Sequence, residues 1–386
     1  MDALGLPAIG FTEPPVFNID TLNKALLYVI ENKGDDLILV TGYPFGMIWS
    51  ERVVRLGSRP LMTDELRDLL VRITDNPNAA MELQQQEDID FSHVIQLGRG
   101  KALRFRVNAT GCMGLNGGAG LGIVFRPITG VPKTMDELGM PQEIQDAALP
   151  KSGLVILCGP TGSGKTTALD SFMRAHATDP MGKHILTYYA PIENDLYSIP
   201  NQTGIIAQTE IGKGYGAHLK TFAKATRNSL RRHPMVIAYG EARDRETIEG
   251  AVLSAMTGHA TYTTTHTNNV HMAIPRMADA FDAGDRVRIS NGLIDNSRMI
   301  MHQRLLRRRD GRGRVPVRSW LVLTQDIRSH LLRIPYDQLP NEIQRLVKTH
   351  GRDLLVDAEE QYELGNLHED EMLALQAELE YADHNS

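Results

Sequence analysis

The chain has 386 residues, 42% hydrophobic and 23% charged, which is the composition of a soluble globular protein too long for one ordinary core. No apolar run reaches the roughly 18 residues that span a bilayer, and Met1 to Pro15 lacks the basic and apolar regions of a secretory signal. A net charge of -6 gives no global pull toward DNA or anionic lipid, and Cys112 and Cys158 can build neither a disulfide framework nor a metal site, so a reducing, cytoplasmic setting is expected.

Residues 1–15 read as an N-terminal segment and residues 16–130 as a small mixed α/β domain. Leu22 to Ile30 has helical spacing. Asp36 to Val40 and Phe45 to Trp49 read as strands, and Thr63 to Thr74 as a capped amphipathic helix. Ala102 to Asn108 and Gly122 to Arg126 alternate like strands, and the glycine-rich Gly111 to Gly120 between them is expected to be mobile. Residues 131–150 carry prolines and a helix-like Met140 to Ala148, and read as a linker.

Next comes an apolar run, Leu154 to Cys158, followed by Gly159-Pro160-Thr161-Gly162-Ser163-Gly164-Lys165-Thr166-Thr167 and a helix-like stretch. Strand, G-x-x-x-x-G-K-T loop and helix together form a phosphate-binding element. The glycines let successive N–H groups point inward, and the helix N-terminus adds its positive dipole end. Lys165 can reach the β- and γ-phosphates, and the Thr166 hydroxyl can hold Mg²⁺. Further strands are expected at Ile185–Tyr189, Gly204–Thr209, Met235–Tyr239 and Ala260–Thr265. Their alternation with helices predicts a largely parallel sheet over residues 151–325.

Hydrolysis also needs a group that orients water. Glu241 ends the apolar strand Pro234 to Gly240, the place for a water-positioning base or a metal-shell ligand. Glu193 ends a second apolar run, and His259 and His266 bracket a threonine-rich strand whose hydroxyls could sense a γ-phosphate. The basic run Gln303 to Arg314 lacks interleaved aromatics and reads as a solvated turn between two strands, with Asp310-Gly311 at its tip. Residues 326–386 read as a helical appendage whose acidic tail is a solvated helix with a frayed end.

In this order the elements resemble the secretion-ATPase superfamily, which includes PilT-like pilus retraction motors and the ATPases of type II and type IV secretion. The resemblance rests on the loop, Ala190-Pro191-Ile192-Glu193, Arg231-Arg232-His233-Pro234, Gly240-Glu241-Ala242-Arg243-Asp244, Thr257-Gly258-His259, Thr265-His266-Thr267 and Gln303-Arg304-Leu305. It implies a PAS-like α+β domain followed by a RecA-like P-loop domain, ATP and Mg²⁺ as cofactors, and a hexameric ring. It implies that Glu241 is the catalytic glutamate, that Glu193 helps order metal and water, and that His259 and His266 sense the γ-phosphate. Arg104, Arg106 and Arg126 become the arginines that reach nucleotide. Gly159 to Thr167 bind it, with Thr166, Glu193 and Glu241 at the metal.

The sequence also departs from the family pattern. Tyr189-Ala190 stands where acidic boxes have Glu-Asp, and Met235 where the second strand often begins with Asp. The Ala-Ile-Arg-Asn-Leu-Ile-Arg-Glu motif of retraction motors and the tetracysteine module of type II ATPases are absent from the sequence. An alanine before Pro-Ile-Glu resembles the DotB-like ATPases of type IVB secretion and the conjugal-transfer ATPase TraJ of I-type plasmids. The implied partners are inner-membrane components of such an apparatus, with direct nucleic-acid binding not expected. A pilus retraction motor, a nucleotide-gated scaffold with little hydrolysis and a nucleic-acid translocase are the alternatives.

Overall fold

The computed structural model describes residues 13–49, 52–85, 88–98, 101–114, 117–128, 130–212, 217–310 and 313–384. The chain forms two compact units. The first comprises Met1–Gly130 with Pro191–Asp195 and Glu210–Lys220; the second takes the remainder.

In the first unit, helix α1 (Ile19–Glu31) starts earlier than the spacing predicts because Asn18 caps it, its side chain accepting from the Thr21 N–H at 3.0 Å. Strands β1 (Asp36–Val40), β2 (Gly46–Trp49) and β3 (Arg52–Arg55) follow, then α2 (Thr63–Thr74) and the short α3 (Ala79–Gln84). Glu65 in the first turn of α2 reaches back to the Met62 N–H at 2.9 Å, the acidic half of a capping box. Long strands β4 (Ile89–Gly98), β5 (Lys101–Met113) and β6 (Ala119–Ile128) complete an antiparallel sheet of order β3-β2-β1-β6-β5-β4. Phe105, Val107 and Ala109 alternate inward with Leu121, Ile123 and Phe125, and with Leu22, Leu26 and Leu69 they build the core.

Both ends of Gly111–Gly120, Gly111–Met113 and Ala119–Gly120, are paired strand and not loop: Gly111 faces Leu121 and Met113 faces Ala119 in register. A Cβ on Gly120 would stand 3.0 Å from Thr41 Cβ and 3.1 Å from the Gly114 nitrogen, so glycine permits the close approach that continues the ladder. Leu115 and Asn116 lie outside the described residues.

The second unit opens with α4 (Gln142–Ala147) and holds a seven-stranded sheet of order β13-β12-β7-β11-β10-β8-β9. Its strands are β7 (Gly153–Cys158), β8 (His184–Tyr189), β9 (Ile205–Glu210), β10 (Val236–Tyr239), β11 (Ala260–Thr265), β12 (Ser297–Arg307) and β13 (Arg314–Val322). The pairs β12/β7, β7/β11, β11/β10 and β10/β8 are parallel, and the β12/β13 hairpin is antiparallel. Helices α5 (Lys165–Ala177), α6 (Phe222–Ser229), α7 (Arg245–Met256), α8 (Ala273–Ala278) and α9 (Ala283–Asn296) make the crossovers. β7 is buried at every position, as expected of a strand covered on both faces. The residues read as a linker are pinned to this unit: Arg174 donates to the Pro132 carbonyl and Tyr262 to the Ala148 carbonyl at 2.7 Å.

Helices α6 and α7 meet where Gly250 faces Thr226; a Cβ there would stand 2.2 Å from Thr226 Oγ1 and 2.8 Å from its Cγ2. Gly250→Ala is therefore expected to destabilise the protein by about 1–2 kcal/mol. Overpacking costs more than the roughly 1 kcal/mol gained in helix propensity. A denaturant midpoint equal to wild type would show that the crossing is loose.

After β13 come α10 (Gln325–Leu331), α11 (Leu339–His350), α12 (Leu354–Glu363) and α13 (Glu369–His384). The acidic tail is not merely solvated. Met372 and Leu375 of α13 pack with Leu306, Val317, Leu354 and Leu367, and Arg304 donates to both Glu378 oxygens at 3.0 Å. Arg307 lies 3.6 Å from Asp370 and 3.7 Å from Glu371. The basic run is thus a hairpin flank in which Arg304 and Arg307 pair with the acidic helix; its expected tip residue Gly311 lies outside the described residues.

Candidate active site

The phosphate-binding loop leaves the C-terminal end of β7, between β12 and β11 in the sheet. Gly159, Gly162 and Gly164 have φ of +148°, +76° and +83°, so the turn uses the conformations that glycine alone adopts freely. Space explains the glycines too. A Cβ on Gly159 would meet the Gln303 carbonyl at 2.5 Å and Ser163 Oγ at 2.6 Å, and one on Gly164 would meet Gln303 Nε2 at 2.8 Å. Lys165, the first residue of α5, is buried and donates from Nζ to the Gly159 and Pro160 carbonyls at 2.7 and 2.9 Å. Pro160, Thr161, Gly162 and Thr167 are exposed, and Thr166 is half-buried.

The Ser163 hydroxyl is buried with no hydrogen-bond partner among the described residues, and Gly162 faces open space. A curled run of glycine amides, an unanswered hydroxyl and one buried cation fit a polyphosphate. Cys158 beneath the loop is a core residue whose thiol is pushed up to about 12 by burial. His302, beside Cys158 in register, is held neutral: burial first, then the Arg304, Lys165 and His271 charges, pull it down to about 3.

Beside β7, two strands deliver the acid and its partner. β10 ends at Tyr239, and Glu241 follows two residues later, its Oε1 3.4 Å from His266 Nε2 and its Oε2 3.9 Å from Arg243. His266 follows the last residue of β11, Thr265, which pairs with Cys158 at the start of the loop. The Glu241 turn is braced by the Ala242 N–H donating to the Thr264 carbonyl and by Thr264 Oγ1 donating to the Gly240 carbonyl, at 2.8 and 2.7 Å. Asp244 is explained structurally: it caps α7, accepting from Thr247 N and Oγ1 at 2.8 and 2.7 Å. A carboxylate aligned by an imidazole at the loop end of a parallel sheet can accept a proton from water.

The model of the type II/IV secretion system protein family matches residues 56–355. The chain belongs to this family. It is 34% identical over 305 residues to the type IV pilus ATPase PilU of Pseudomonas aeruginosa, covering 78% of this chain and 74% of that protein. The crystal structure of the Legionella pneumophila ATPase DotB matches 96% of this chain and 99% of its own, with TM-score 0.87 and 31% identity. That of the pilus retraction motor PilT with bound ADP covers 93% of this chain and 96% of its own, with TM-score 0.77 and 27% identity. This family member is an ATP-hydrolysing enzyme, and its mixed α/β architecture is the one that DotB and PilT share.

Not every expected residue comes to the loop. His259 precedes β11 and His266 follows it, so the strand holds them about 20 Å apart, at opposite ends of the strand. His259 instead bonds locally, its Nδ1 3.0 Å from the Ser254 carbonyl, and the geometry does not make it a γ-phosphate sensor of this loop. Met235 likewise sits before β10, at the strand end away from the loop, so the missing Asp there does not touch this site.

Glu193, Arg104, Arg106 and Arg126 belong to the first unit. Arg104 and Arg106 alternate outward on β5, opposite the core-facing Phe105 and Val107, and Arg106 faces Arg126 in register. Arg126 is engaged by Asp36, Nε and Nη2 donating at 2.7 and 2.8 Å. That bond first, then the fields of Asp35 and Glu193, hold its guanidinium charged. Nothing in the sequence pattern singles out Arg318 or Asp357, and Gln303 stands out there only within the Gln303-Arg304-Leu305 box; its crowding against the loop glycines is what marks it in the structure.

Proposed function

We propose that this chain powers a type IVB secretion or conjugative-transfer apparatus, working as a hexameric ring on the cytoplasmic face of the inner membrane and held there by membrane partners. The observation that carries this reading is the end-to-end match to DotB, with the higher of the two TM-scores. Ala190 before Pro191-Ile192-Glu193 and the absent retraction-motor motif support it. The similarity to PilU favours a second reading, a pilus retraction motor. Among the described residues no helix is long and apolar enough to cross a membrane, which agrees with attachment through partners.

In this reading the loop amides and Lys165 bind the β- and γ-phosphates of ATP. Thr166 and Glu241, with Glu193, are the oxygen donors suited to Mg²⁺, which when bound neutralises phosphate charge. Glu241, aligned by His266, orients the attacking water and takes its proton. Arg104 and Arg106, from the same chain or a neighbouring copy, stabilise the charge that develops on the transferred group. Arg126, already paired with Asp36, does so less directly.

Arg106→Ala is expected to lower kcat about 10²-fold with nucleotide affinity nearly unchanged. An equal loss in affinity would remove Arg106 from the transition state. The apparatus itself is tested by deleting the gene in its own bacterium. Loss of protein or plasmid transfer with pilus retraction intact supports the proposal, and the reverse pattern assigns the chain to retraction.

A further inference from the structure

Beneath the loop lies a buried polar chain that the reaction does not use directly. Gln303 on β12 and Arg318 on β13 are cross-strand partners, both about 4% exposed. Gln303 Nε2 donates to the Ser163 carbonyl at 2.8 Å, and Gln303 Oε1 accepts from Arg318 Nε at 2.9 Å. The other arms of Arg318 donate to the Gly139 and Leu138 carbonyls at 3.0 and 2.7 Å. Its backbone N–H, on the edge strand of the sheet, donates to Asp357 of α12 at 2.8 Å.

The chemistry of this chain is directional. A guanidinium can only donate, so it claims the oxygen end of the Gln303 amide and turns the NH₂ end toward the loop. The Ser163–Gly164 peptide is planar and trans, so a carbonyl held toward Gln303 sends the Gly164 N–H to the opposite side. That amide belongs to the face the loop offers to a phosphate. Gln303 packs so closely against Gly159 and Gly164 that neither position has room for a Cβ.

We propose that Gln303 is a positioning residue that fixes the Ser163–Gly164 peptide for phosphate binding, and that the Arg318 guanidinium sets its orientation and anchors it to the 138–139 turn, while the Arg318 backbone N–H holds this stretch of β13 to Asp357 on α12. This rests on the reading of residues 159–167 as the ATP site. The Arg318 guanidinium donates to three neutral oxygens, those of Gln303, Gly139 and Leu138; burial pulls its pKa down to about 10, so it stays charged at neutral pH. Within the second unit, the phosphate loop is thereby tied to a helix of the C-terminal appendage.

The test is ADP affinity by titration calorimetry, with kcat, KM and melting temperature, for Gln303→Met, Gln303→Glu, Arg318→Met and the Gln303/Arg318 double methionine variant. Gln303→Met is expected to lose about tenfold in ADP affinity. Gln303→Glu should lose at least as much, because a carboxylate repels the Ser163 carbonyl, yet melt no lower than wild type, because it pairs with Arg318. Arg318→Met should weaken ADP without touching the loop, and the double variant should be no weaker than Gln303→Met alone. The proposal falls if folded Gln303→Met and Gln303→Glu bind ADP within about twofold of wild type, or if the two methionine effects add. Should Arg318→Met fail to fold, the two Gln303 variants decide. Lys165→Ala serves as the control: if it too binds ADP normally, the ATP-site reading has failed, not the coupling alone.

Discussion

Lys165→Ala is expected to reduce ATP and ADP affinity by about 10²-fold or more and to leave no measurable hydrolysis. Between Gly159 and Thr167 no other residue carries a charge, so the loop loses its one fixed cation. The side chain is buried and already bends back over the loop, its ammonium on the Gly159 and Pro160 carbonyls. Those carbonyls are the resting partners of a group that a phosphate chain would draw onto itself. Because alanine sustains the helix start as well as lysine does, the fold should survive, which circular dichroism would check. Normal affinity in the variant would reject the placement of the nucleotide.

Glu241→Gln is expected to do the opposite to binding and the same to turnover. The amide keeps the shape and can still meet His266, so nucleotide should bind as tightly as in wild type. It cannot take a proton from water, and loss of such a group costs about 10²–10⁴-fold in rate. The contrast with Lys165→Ala separates the two halves of the site: one variant fails to bind, the other binds and stalls.

Much of this was legible in the sequence because the phosphate loop and its strand are local. β7, Gly159 to Thr166 and the start of α5 lie in one run, and the glycine spacing states the backbone conformation it needs. Glu241 was legible as a carboxylate ending an apolar strand. What could not be read is which ends of which strands meet. His259 and His266 look equivalent as a bracket around threonines, but the strand between them carries them to its opposite ends. The Gln303–Arg318–Asp357 chain is invisible for the same reason: it is made by a hairpin register and by a helix well beyond β13 in the chain, neither of which local pattern states. The acidic tail reads as solvated because its charges dominate its composition, although Met372 and Leu375 bury themselves against Leu306.

The measurement that tests the account most directly is steady-state ATP hydrolysis per mole of chain against protein concentration, for the wild type and for Glu241→Gln, with ADP binding measured in both. A ring enzyme with Glu241 at its chemical step predicts a specific rate that climbs steeply with concentration in the wild type and disappears in the variant, while both bind ADP. A variant that hydrolyses ATP as fast as the wild type, or a wild type that binds nucleotide and shows a flat, near-zero rate at every concentration, would contradict it.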